Sequence, residues 1–246
     1  MKPPSDWIVP EWPAPVGVKA LITSRNGGVS GGAFASFNLS LRAGDNPEAV
    51  MANRARLRQF LPQEPKWLAQ QHGTHVVEID GIEEVPQADA SIARRPGTVC
   101  AIMVADCVPV LFTDRSGTLV AVAHAGWRGL AGGVIENTVR NMSVAPGEVL
   151  AYLGPGIGPR AFEVGAEVRD AFIAGDARAA SAFAPERAGK WLADLYALAR
   201  LALMRAGVTQ VRGGDLCTLS DPLRFYSYRR DNQVTGRMAA LIWRER

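Results

Sequence analysis

The sequence predicts one α/β domain that spans residues 1–246, and three observations support this class. Short apolar runs rich in β-branched residues, such as 99–104 and 108–112, are typical of buried strands. Stretches with helical periodicity lie between such runs, as at 191–206. Turns rich in glycine and proline separate the segments, and neither an internal repeat nor a low-complexity linker divides the chain.

The composition is that of an ordinary globular protein, with 48% hydrophobic and 21% charged residues among 246. A net charge of +3 and scattered arginines argue against a nucleic-acid binder. No run approaches the roughly 20 apolar residues that span a bilayer, and the first residues lack the apolar segment of a secretory signal. Three cysteines, an odd number, indicate a reduced, cytoplasmic chain.

The first third of the chain predicts an arm, a strand and a helix. Residues 1–16 contain five prolines and should form an extended arm, and 17–23 should form a strand. The glycine-rich residues 26–32 either approach a ligand or form a flexible hairpin loop. Asp45 or Asn46 as N-cap, followed by Pro47, predicts a helix that ends near Leu61.

The remainder alternates between predicted strands and helices, with one long polar loop. That loop is 80–98, with Asp89 at its centre. The predicted strands are 76–79, 99–104, 108–112, 118–123, 149–153, 216–219, 225–228 and 237–243. The predicted helices are 130–142, 163–174 and 191–206.

The residues able to carry chemistry lie at the ends of the central strands. Asp106 and Cys107 stand between two predicted strands, and His124 follows a third. With His72 they offer two imidazoles and a thiolate, the three-ligand set of a catalytic zinc. From spacing alone, a nucleophilic pair of Cys107 and His124 and a purely structural role remain open as alternatives.

Other candidates carry weaker signals. His75 stands three residues from His72, but it is expected to begin a strand rather than to bind metal. Cys100 is expected to be buried for packing. Packing is also favoured for Cys217, with a place near the site as the alternative. Arg128, in the glycine-containing turn before the predicted helix at 130, is a candidate for binding an anion at a helix N-terminus, with a surface position as the alternative.

Several motifs resemble those of one known family, in the same order along the chain. They are Gln71-His72-Gly73, 105–110 (ADCVPV), 124–129 (HAGWRG), 228–231 (YRRD) and 235–237 (TGR), together with Asn38-Leu39, Gly44-Asp45 and Asn53-Arg54. The chain resembles the laccase-domain family of purine nucleoside phosphorylases, earlier described as multicopper polyphenol oxidases. The resemblance covers nearly the whole chain.

This resemblance implies a layered α/β/β/α sandwich with mixed sheets, related to cysteine-hydrolase-like toxins. It also implies a zinc ion held by His72, Cys107 and His124. The implied activities are phosphorolysis of adenosine, inosine, guanosine and methylthioadenosine, and deamination of adenosine. The implied partners are therefore purine nucleosides and phosphate, and we expect a monomer or a homodimer.

Residue roles follow for the reaction that the resemblance implies. Cys107 and His124 are the expected catalytic groups beside the metal, and Asp106 is the expected acid or base, with Asp89 as an alternative carboxylate. Asn38 and Arg54 are expected to contact the base or ribose, and Arg128 the phosphate. For Asp45 we expect helix capping.

Competing functions can be weighed against the histidine count. A laccase needs several copper centres, and three histidines in the whole chain cannot supply their ligands, so copper is expected only as a substitute in a zinc site. A cysteine-dependent hydrolase or peptidoglycan-editing factor that uses Cys107 and His124 is the main alternative. A non-enzymatic protein with a structural metal site is a third hypothesis.

Overall fold

The helices and strands of the computed structural model follow one another in an α/β order, and the structure describes residues 2–245. Met1 and Arg246, the ends of the predicted domain, lie outside the described residues. The strands are β1 (Val18–Ile22), β2 (Val76–Glu78), β3 (Ala90–Ala93), β4 (Cys100–Val104), β5 (Val108–Asp114), β6 (Val120–Ala125), β7 (Val149–Leu153), β8 (Glu163–Gly165), β9 (Phe183–Arg187), β10 (Lys190–Ala193), β11 (Gln210–Gly213) and β12 (Met238–Arg244). The α-helices are α1 (Pro47–Arg58), α2 (Trp127–Gly132), α3 (Val134–Met142), α4 (Ala166–Gly175) and α5 (Leu195–Arg205).

The largest sheet has six strands in the order β11-β7-β5-β6-β3-β2. Its outer pairs, β11 with β7 and β2 with β3, are parallel, whereas the inner pairs are antiparallel. β5 is buried along its whole length, which explains why its sequence is a continuous apolar run rather than an alternation. The sheet is therefore mixed, as expected.

A three-stranded antiparallel sheet, β1-β12-β4, packs face to face on the larger one. Because side chains alternate across a strand, Leu111 and Val122 point from the large sheet toward Ile102 and Ile242 of the small sheet, where they form one core. Burying each such side chain fully stabilises the fold by about 1.5–3 kcal/mol.

Helices cover both outer faces. Residues of opposite parity on β5, such as Val110 and Phe112, form a second core with α3 and α5. On the far side, Leu57 of α1 and Trp7 of the N-terminal arm pack against Leu241 of β12. The layered α/β/β/α sandwich with mixed sheets is thus confirmed. A third, small sheet, β8-β10-β9, lies beside α4.

The predicted helix at 130–142 is wrong in its extent. Helical structure begins earlier, at Trp127, and Gly133 breaks it into α2 and α3 because its φ of 96° is left-handed.

Of the two candidates for the cap of α1, Asn46 is the one used, since its side chain accepts a hydrogen bond from the Glu48 N–H at 2.8 Å. The capping expected of Asp45 is wrong, because its Oδ2 accepts from Ser30 Oγ at 2.6 Å and from Asn38 Nδ2 at 3.0 Å instead.

Several other boundaries also differ from the sequence predictions. The predicted helix at 163–174 starts only at Ala166, because Glu163–Gly165 forms β8. The predicted helix at 191–206 starts at Leu195, after Asp194 as N-cap, and the residues before it form β10. The predicted loop 80–98 contains β3. The segments 216–219 and 225–228 are irregular rather than strands, apart from an isolated β-bridge between Cys217 and Gly156.

The longest α-helix among residues 2–245, α1, has 12 residues. Within this part of the chain, no helix combines the length and the apolar character needed to cross a membrane.

Candidate functional site

The three expected metal ligands come from three separate segments. His72 lies in the loop before β2, Cys107 in the turn between β4 and β5, and His124 near the end of β6. β5 and β6 pair antiparallel with Pro109 opposite His124, so the start of β5 and the end of β6 meet at one edge of the sheet. His124 shares the parity of Val122 and therefore faces the space between the two sheets.

The donor atoms of His72, Cys107 and His124 all lie within 4.8 Å of one another. The two imidazole rings stand edge to face, with centroids 4.8 Å apart. Zinc binds nitrogen and sulfur donors at about 2.0–2.3 Å, so small side-chain adjustments would let one ion reach all three. His124 is only 3% exposed, whereas His72 is exposed, and the cluster is therefore open toward solvent on one side.

Asp89, the residue before β3, holds both histidine segments in place. Its Oδ1 accepts hydrogen bonds from His124 Nδ1 at 2.8 Å and from the His72 N–H at 2.9 Å. Its Oδ2 accepts from the N–H groups of Gln71 at 3.0 Å and Gly73 at 2.7 Å. With Nδ1 engaged in this way, Nε2 of His124 is left for a metal, the arrangement commonly found behind metal-binding histidines.

The charged forms of Asp89, Cys107 and His124 stabilise one another. Burial alone would raise the pKa of Asp89, but the hydrogen bonds from His124, Gly73 and Gln71 outweigh burial and hold that pKa below its usual value. Burial opposes charge on Cys107 and His124 as well. Their mutual attraction nevertheless lowers the pKa of the Cys107 thiol and, together with Asp89, raises the pKa of His124. The cluster therefore favours a thiolate, the form that binds metal.

Two glycines let α2 approach the cluster closely. A Cβ on Gly126 would lie 2.9 Å from Sγ of Cys107 and 3.0 Å from Cδ2 of His72. A Cβ on Gly129 would lie 2.7 Å from the carbonyl oxygen of Gly73. These contacts explain the two glycines of the 124–129 segment, since any side chain there would displace a candidate ligand or its loop.

Asp106 borders the cluster, but its carboxylate is engaged elsewhere. It accepts hydrogen bonds from Oγ1 of Thr218 at 2.6 Å and from the N–H of Arg229 at 2.7 Å. Asp106 was expected to act as an acid or base. These contacts join the β4–β5 turn to the C-terminal segments, and the expected role as acid or base stays a prediction.

The cluster lies at the base of a cavity of about 700 Å³. Aromatic and apolar side chains contribute one part of its wall, among them Trp127, Ile157 and Phe162. Arginines contribute another part. They are Arg42, Arg128, Arg229 and Arg237, whereas Asp106 supplies the single carboxylate of the lining. The cavity is therefore positively charged and has an apolar surface large enough for a flat heterocycle.

Strained backbone concentrates at this cavity. The non-glycine residues with positive φ among residues 2–245 are His72, Asp106, Ser143, Asn232 and Gln233. All but Ser143 line the cavity. Such a conformation persists only where the surrounding structure fixes it, and here Asp89 and the contacts of Asp106 do so.

Asn38 and Arg54, expected to contact substrate, do not line the cavity. Asn38 is fully buried, and its Oδ1 accepts from the N–H groups of Ser40 at 3.0 Å and Arg237 at 2.9 Å. Arg54 donates to the Leu39 carbonyl at 2.9 Å and stacks on Trp67. These polar groups are bonded within the fold, and a role of either residue in substrate binding stays a prediction.

Arg128 lines the cavity as expected, but it is exposed and stacks over Trp127 with its guanidinium carbon 4.4 Å from the ring centroid. It lies in α2, which has only six residues, so the expected helix-terminus site is reduced to the side chain itself. His75 is exposed and stands outside the ligand cluster, as expected. Cys100 is fully buried in the core between the sheets. Cys217 is half-buried, and its sulfur accepts from the Gly158 N–H at 3.2 Å.

Two features of the site were missed by sequence reasoning. Asp89 was considered only as an alternative acid or base, because nothing local shows that it contacts His124 across 35 positions. Arg237 was noticed only within a motif, and its bond to Asn38 spans 199 positions. For Asp89, the available signal was its place directly before the short segment 90–93, in which three of four residues are apolar.

Comparison with known proteins gives one family along nearly the whole chain. A family model described as multi-copper polyphenol oxidoreductase laccase matches residues 19–245. A Pseudomonas aeruginosa protein named purine nucleoside phosphorylase is 56% identical over 238 residues, which cover 96% of this chain and 98% of that protein. The Escherichia coli protein named purine nucleoside phosphorylase YfiH is 53% identical over 242 residues, with coverage of 97% and 99%.

Solved structures are similar over the same length. A crystal structure of a Neisseria meningitidis protein superposes with a TM-score of 0.95 at 53% identity, covering 98% of this chain and 100% of that chain. The structure of YlmD from Geobacillus stearothermophilus gives a TM-score of 0.85 at 32% identity, with coverage of 94% and 93%.

Proposed function

We propose, because this chain belongs to the multi-copper polyphenol oxidoreductase laccase family, that it is a metal-dependent enzyme that cleaves purine nucleosides with phosphate. The observation that carries the proposal is the combination of a His-Cys-His cluster with an aromatic and cationic cavity above it. Relatives that are more than half identical over almost their full length, and that are named purine nucleoside phosphorylases, support it.

The cavity provides a separate kind of surface for each part of such a substrate pair. Trp127, Ile157 and Phe162 supply apolar area on which a purine ring can stack. The arginines supply donors for phosphate, and Arg128 contributes at the mouth, where it also attracts the anion. We propose adenosine, inosine, guanosine and methylthioadenosine as substrates.

His72, Cys107 and His124 would hold one zinc ion, with Asp89 orienting His124. Zinc in a site with three protein ligands supplies an electrophile and can activate a water molecule, which is the chemistry that deamination of adenosine requires. Copper would bind the same donors as a substitute, but three histidines cannot build the several centres of a laccase. We therefore propose one metal ion per chain.

The protein's own residues bind and orient the reactants. His124 and the Cys107 thiolate would hold the metal at the cavity floor, and Asp106 positions the turn that carries Cys107. Three free cysteines are compatible with a cytoplasmic location, which we propose for this enzyme.

The experiment is product analysis on protein whose metal content has been measured. Each of the four nucleosides is supplied with and without phosphate, and chromatography follows the free base, the ribose phosphate and ammonia. We expect base and ribose 1-phosphate only when phosphate is present, and inosine from adenosine without it. Absence of both products from zinc-loaded protein would contradict the proposal.

A second candidate function is a cysteine-dependent hydrolase that uses Cys107 and His124. The specific observation in its favour is the lowered pKa of Cys107 beside the raised pKa of His124, as in a nucleophilic pair. Alkylation by iodoacetamide separates the two candidates. The first candidate is supported if activity requires bound metal and the metal protects Cys107 from alkylation. The second candidate is supported if alkylation inactivates the enzyme and removal of metal by a chelator does not.

A further inference from the structure

One arginine of the cavity differs from the other three. Arg237 is half-buried, whereas Arg42, Arg128 and Arg229 are exposed. Its Nη1 donates to the carbonyl oxygens of Thr235 at 2.7 Å and Gly236 at 3.0 Å. Within the described part of the chain, no acceptor is bonded to its Nε or Nη2 and no carboxylate forms an ion pair with it. A desolvated guanidinium with free donors lacks its usual anionic partner.

The position of Arg237 is fixed from several directions. Its N–H donates to Asn38 Oδ1 at 2.9 Å, and its carbonyl accepts from the Leu39 N–H at 3.3 Å. Its guanidinium carbon lies 5.4 Å from the centroid of the Tyr228 ring. Arg237 lines the cavity together with Cys107 and Asp106, so it stands on the same cavity as the candidate metal cluster.

Two more donors line the same cavity. Ser40 lines the cavity and is only 5% exposed, and its Oγ accepts the Arg42 N–H at 3.2 Å, which leaves the hydroxyl proton to donate. Arg42 lines the cavity, and no partner of its guanidinium is found in the described residues. The hydrogen bonds of Asn38 to Ser40 and Arg237 tie these donors to one backbone segment.

We propose that Arg237, with Ser40 and Arg42, forms the subsite that binds inorganic phosphate for phosphorolysis. This inference rests on the proposed function. Free guanidinium N–H groups and a hydroxyl match the tetrahedral oxygens of phosphate. In the reaction, a phosphate oxygen forms a bond to C1′ of the ribose while the bond from C1′ to the purine nitrogen breaks. The bonding electrons leave with the base, which takes up the proton of hydrogen phosphate.

The test measures phosphate binding and phosphate kinetics separately. In phosphorolysis of inosine, Arg237→Gln should raise the KM for phosphate by at least about tenfold, because it removes a charge-assisted contact. The KM for inosine should change by less than about threefold. Arg237→Lys should recover part of the phosphate affinity, and Arg42→Ala should show a smaller loss than Arg237→Gln.

Arg25 offers a matched control. It stacks on Tyr226 and donates to the carbonyl oxygens of Ala35 and Pro222, much as Arg237 does to its neighbours, but it does not line the cavity. Arg25→Gln should therefore leave the KM for phosphate unchanged, even if the melting temperature falls as far as in Arg237→Gln.

Calorimetric titration with inorganic phosphate, without nucleoside, keeps the subsite testable if phosphorolysis itself is not found. Wild-type protein should bind phosphate, and Arg237→Gln should lose at least about tenfold in affinity. Unchanged phosphate affinity in folded Arg237→Gln and Arg237→Lys would overturn the subsite. A second titration uses adenosine 5′-monophosphate in the same way. If Arg237→Gln lost affinity for this nucleotide but kept its affinity for inorganic phosphate, the subsite would be overturned as well. Phosphate binding that depends on Arg237, without phosphorolysis of any nucleoside, would support the subsite while contradicting the proposed function.

Discussion

The floor of the cavity and its rim are built in opposite ways. At the floor, Asp89 and His124 are at most 3% exposed, and the Asp89 carboxylate is shared among four hydrogen-bond donors. At the rim, Arg42 and Arg128 are exposed, and neither guanidinium has a carboxylate partner among residues 2–245. One region is held by buried bonds, and the other consists of long side chains in water.

This difference separates two tasks. Groups that must hold a metal in a fixed geometry need support from a second set of buried bonds, since a shift of about 0.5 Å impairs a site. Groups that attract and admit a substrate can move, and exposed charges act over a distance that salt shortens. We therefore expect floor substitutions to act on metal binding and rim substitutions on association.

The largest effect is expected from the ligands themselves. Cys107→Ala and His124→Ala should reduce the metal content from one ion per chain to near zero and abolish turnover, because two donors do not hold zinc firmly. Elemental analysis after dialysis against a weak chelator measures this. Cys100→Ala and His75→Ala are the matched controls and should retain the metal. Full occupancy in both ligand variants would remove the proposed site.

A second test concerns the bonds behind the ligands. Asp89→Asn should weaken metal affinity by about 10–100-fold, since the amide no longer fixes the His124 ring or its proton. Competition with a coloured chelator gives the affinity. Asp106→Asn, which alters a buried carboxylate that touches no ligand side chain, should lower stability more than metal affinity. Equal metal affinities in wild type and Asp89→Asn would show that the floor is not organised by this carboxylate.

Gly126 tests the floor without a change in any polar group. A methyl group at this position meets Cys107 Sγ and His72 Cδ2, so Gly126→Ala should weaken metal affinity by roughly tenfold, a smaller loss than truncating a ligand. Gly147→Ala is the control, because no atom lies within 4 Å of the added Cβ. The same chelator competition applies, and identical affinities for the two variants would contradict the close approach of α2.

At the rim, Arg128→Ala should lower kcat/KM for phosphate by only about two- to fivefold at low salt. The difference should vanish near 1 M salt, where the Debye length is about 3 Å. Steady-state rates across ionic strength measure this. A loss that persists at high salt would mean that Arg128 is as firmly engaged as a floor residue.

The smallest effect concerns pH. Because the pKa of Asp89 in the fold is below its unfolded value of about 3.9, its ionised form stabilises the fold above that value. This stabilisation is lost as the pH falls through the lower, folded pKa. In metal-free protein, the stability difference between wild type and Asp89→Asn in urea titrations should therefore stay constant down to about pH 5 and shrink as the pH falls below about 3.9. Arg128 pairs with no carboxylate among residues 2–245, so the stability difference between wild type and Arg128→Ala should not change over the same pH range.

The floor was more accessible from sequence than the rim. Cys107 and His124 could be found because each interrupts or follows an apolar strand, a pattern that a linear sequence displays directly. The arginines of the cavity could not be ranked, because burial and pairing distinguish Arg237 from Arg42, and neither is visible in composition. The contacts of Asn38 could not be predicted for the same reason, since its Oδ1 accepts from the N–H of Arg237 nearly 200 positions away as well as from that of nearby Ser40.

The errors in secondary structure also have local causes. The segment 190–193 was absorbed into a helix because Trp191 and Leu192 continue the helical apolar pattern, whereas pairing with β8 and β9 makes it a strand. The tetrad 90–93 is too short to stand out from the polar loop around it, although it is buried between β2 and β6. In both places, neighbouring strands determined a conformation that local propensity left undecided.

The non-glycine residues with left-handed backbone around the cavity lower the stability of the fold at positions that the proposed activity uses. Each non-glycine residue in that conformation costs about 1–3 kcal/mol, and a domain has only about 5–15 kcal/mol to spare. Asn232 and Gln233, at φ of 49° and 73°, carry such strain on the rim, whereas His72 carries it at the floor. Selection for heat resistance alone should therefore favour glycine at positions 232 and 233, and the first property to decline should be substrate capture rather than metal retention.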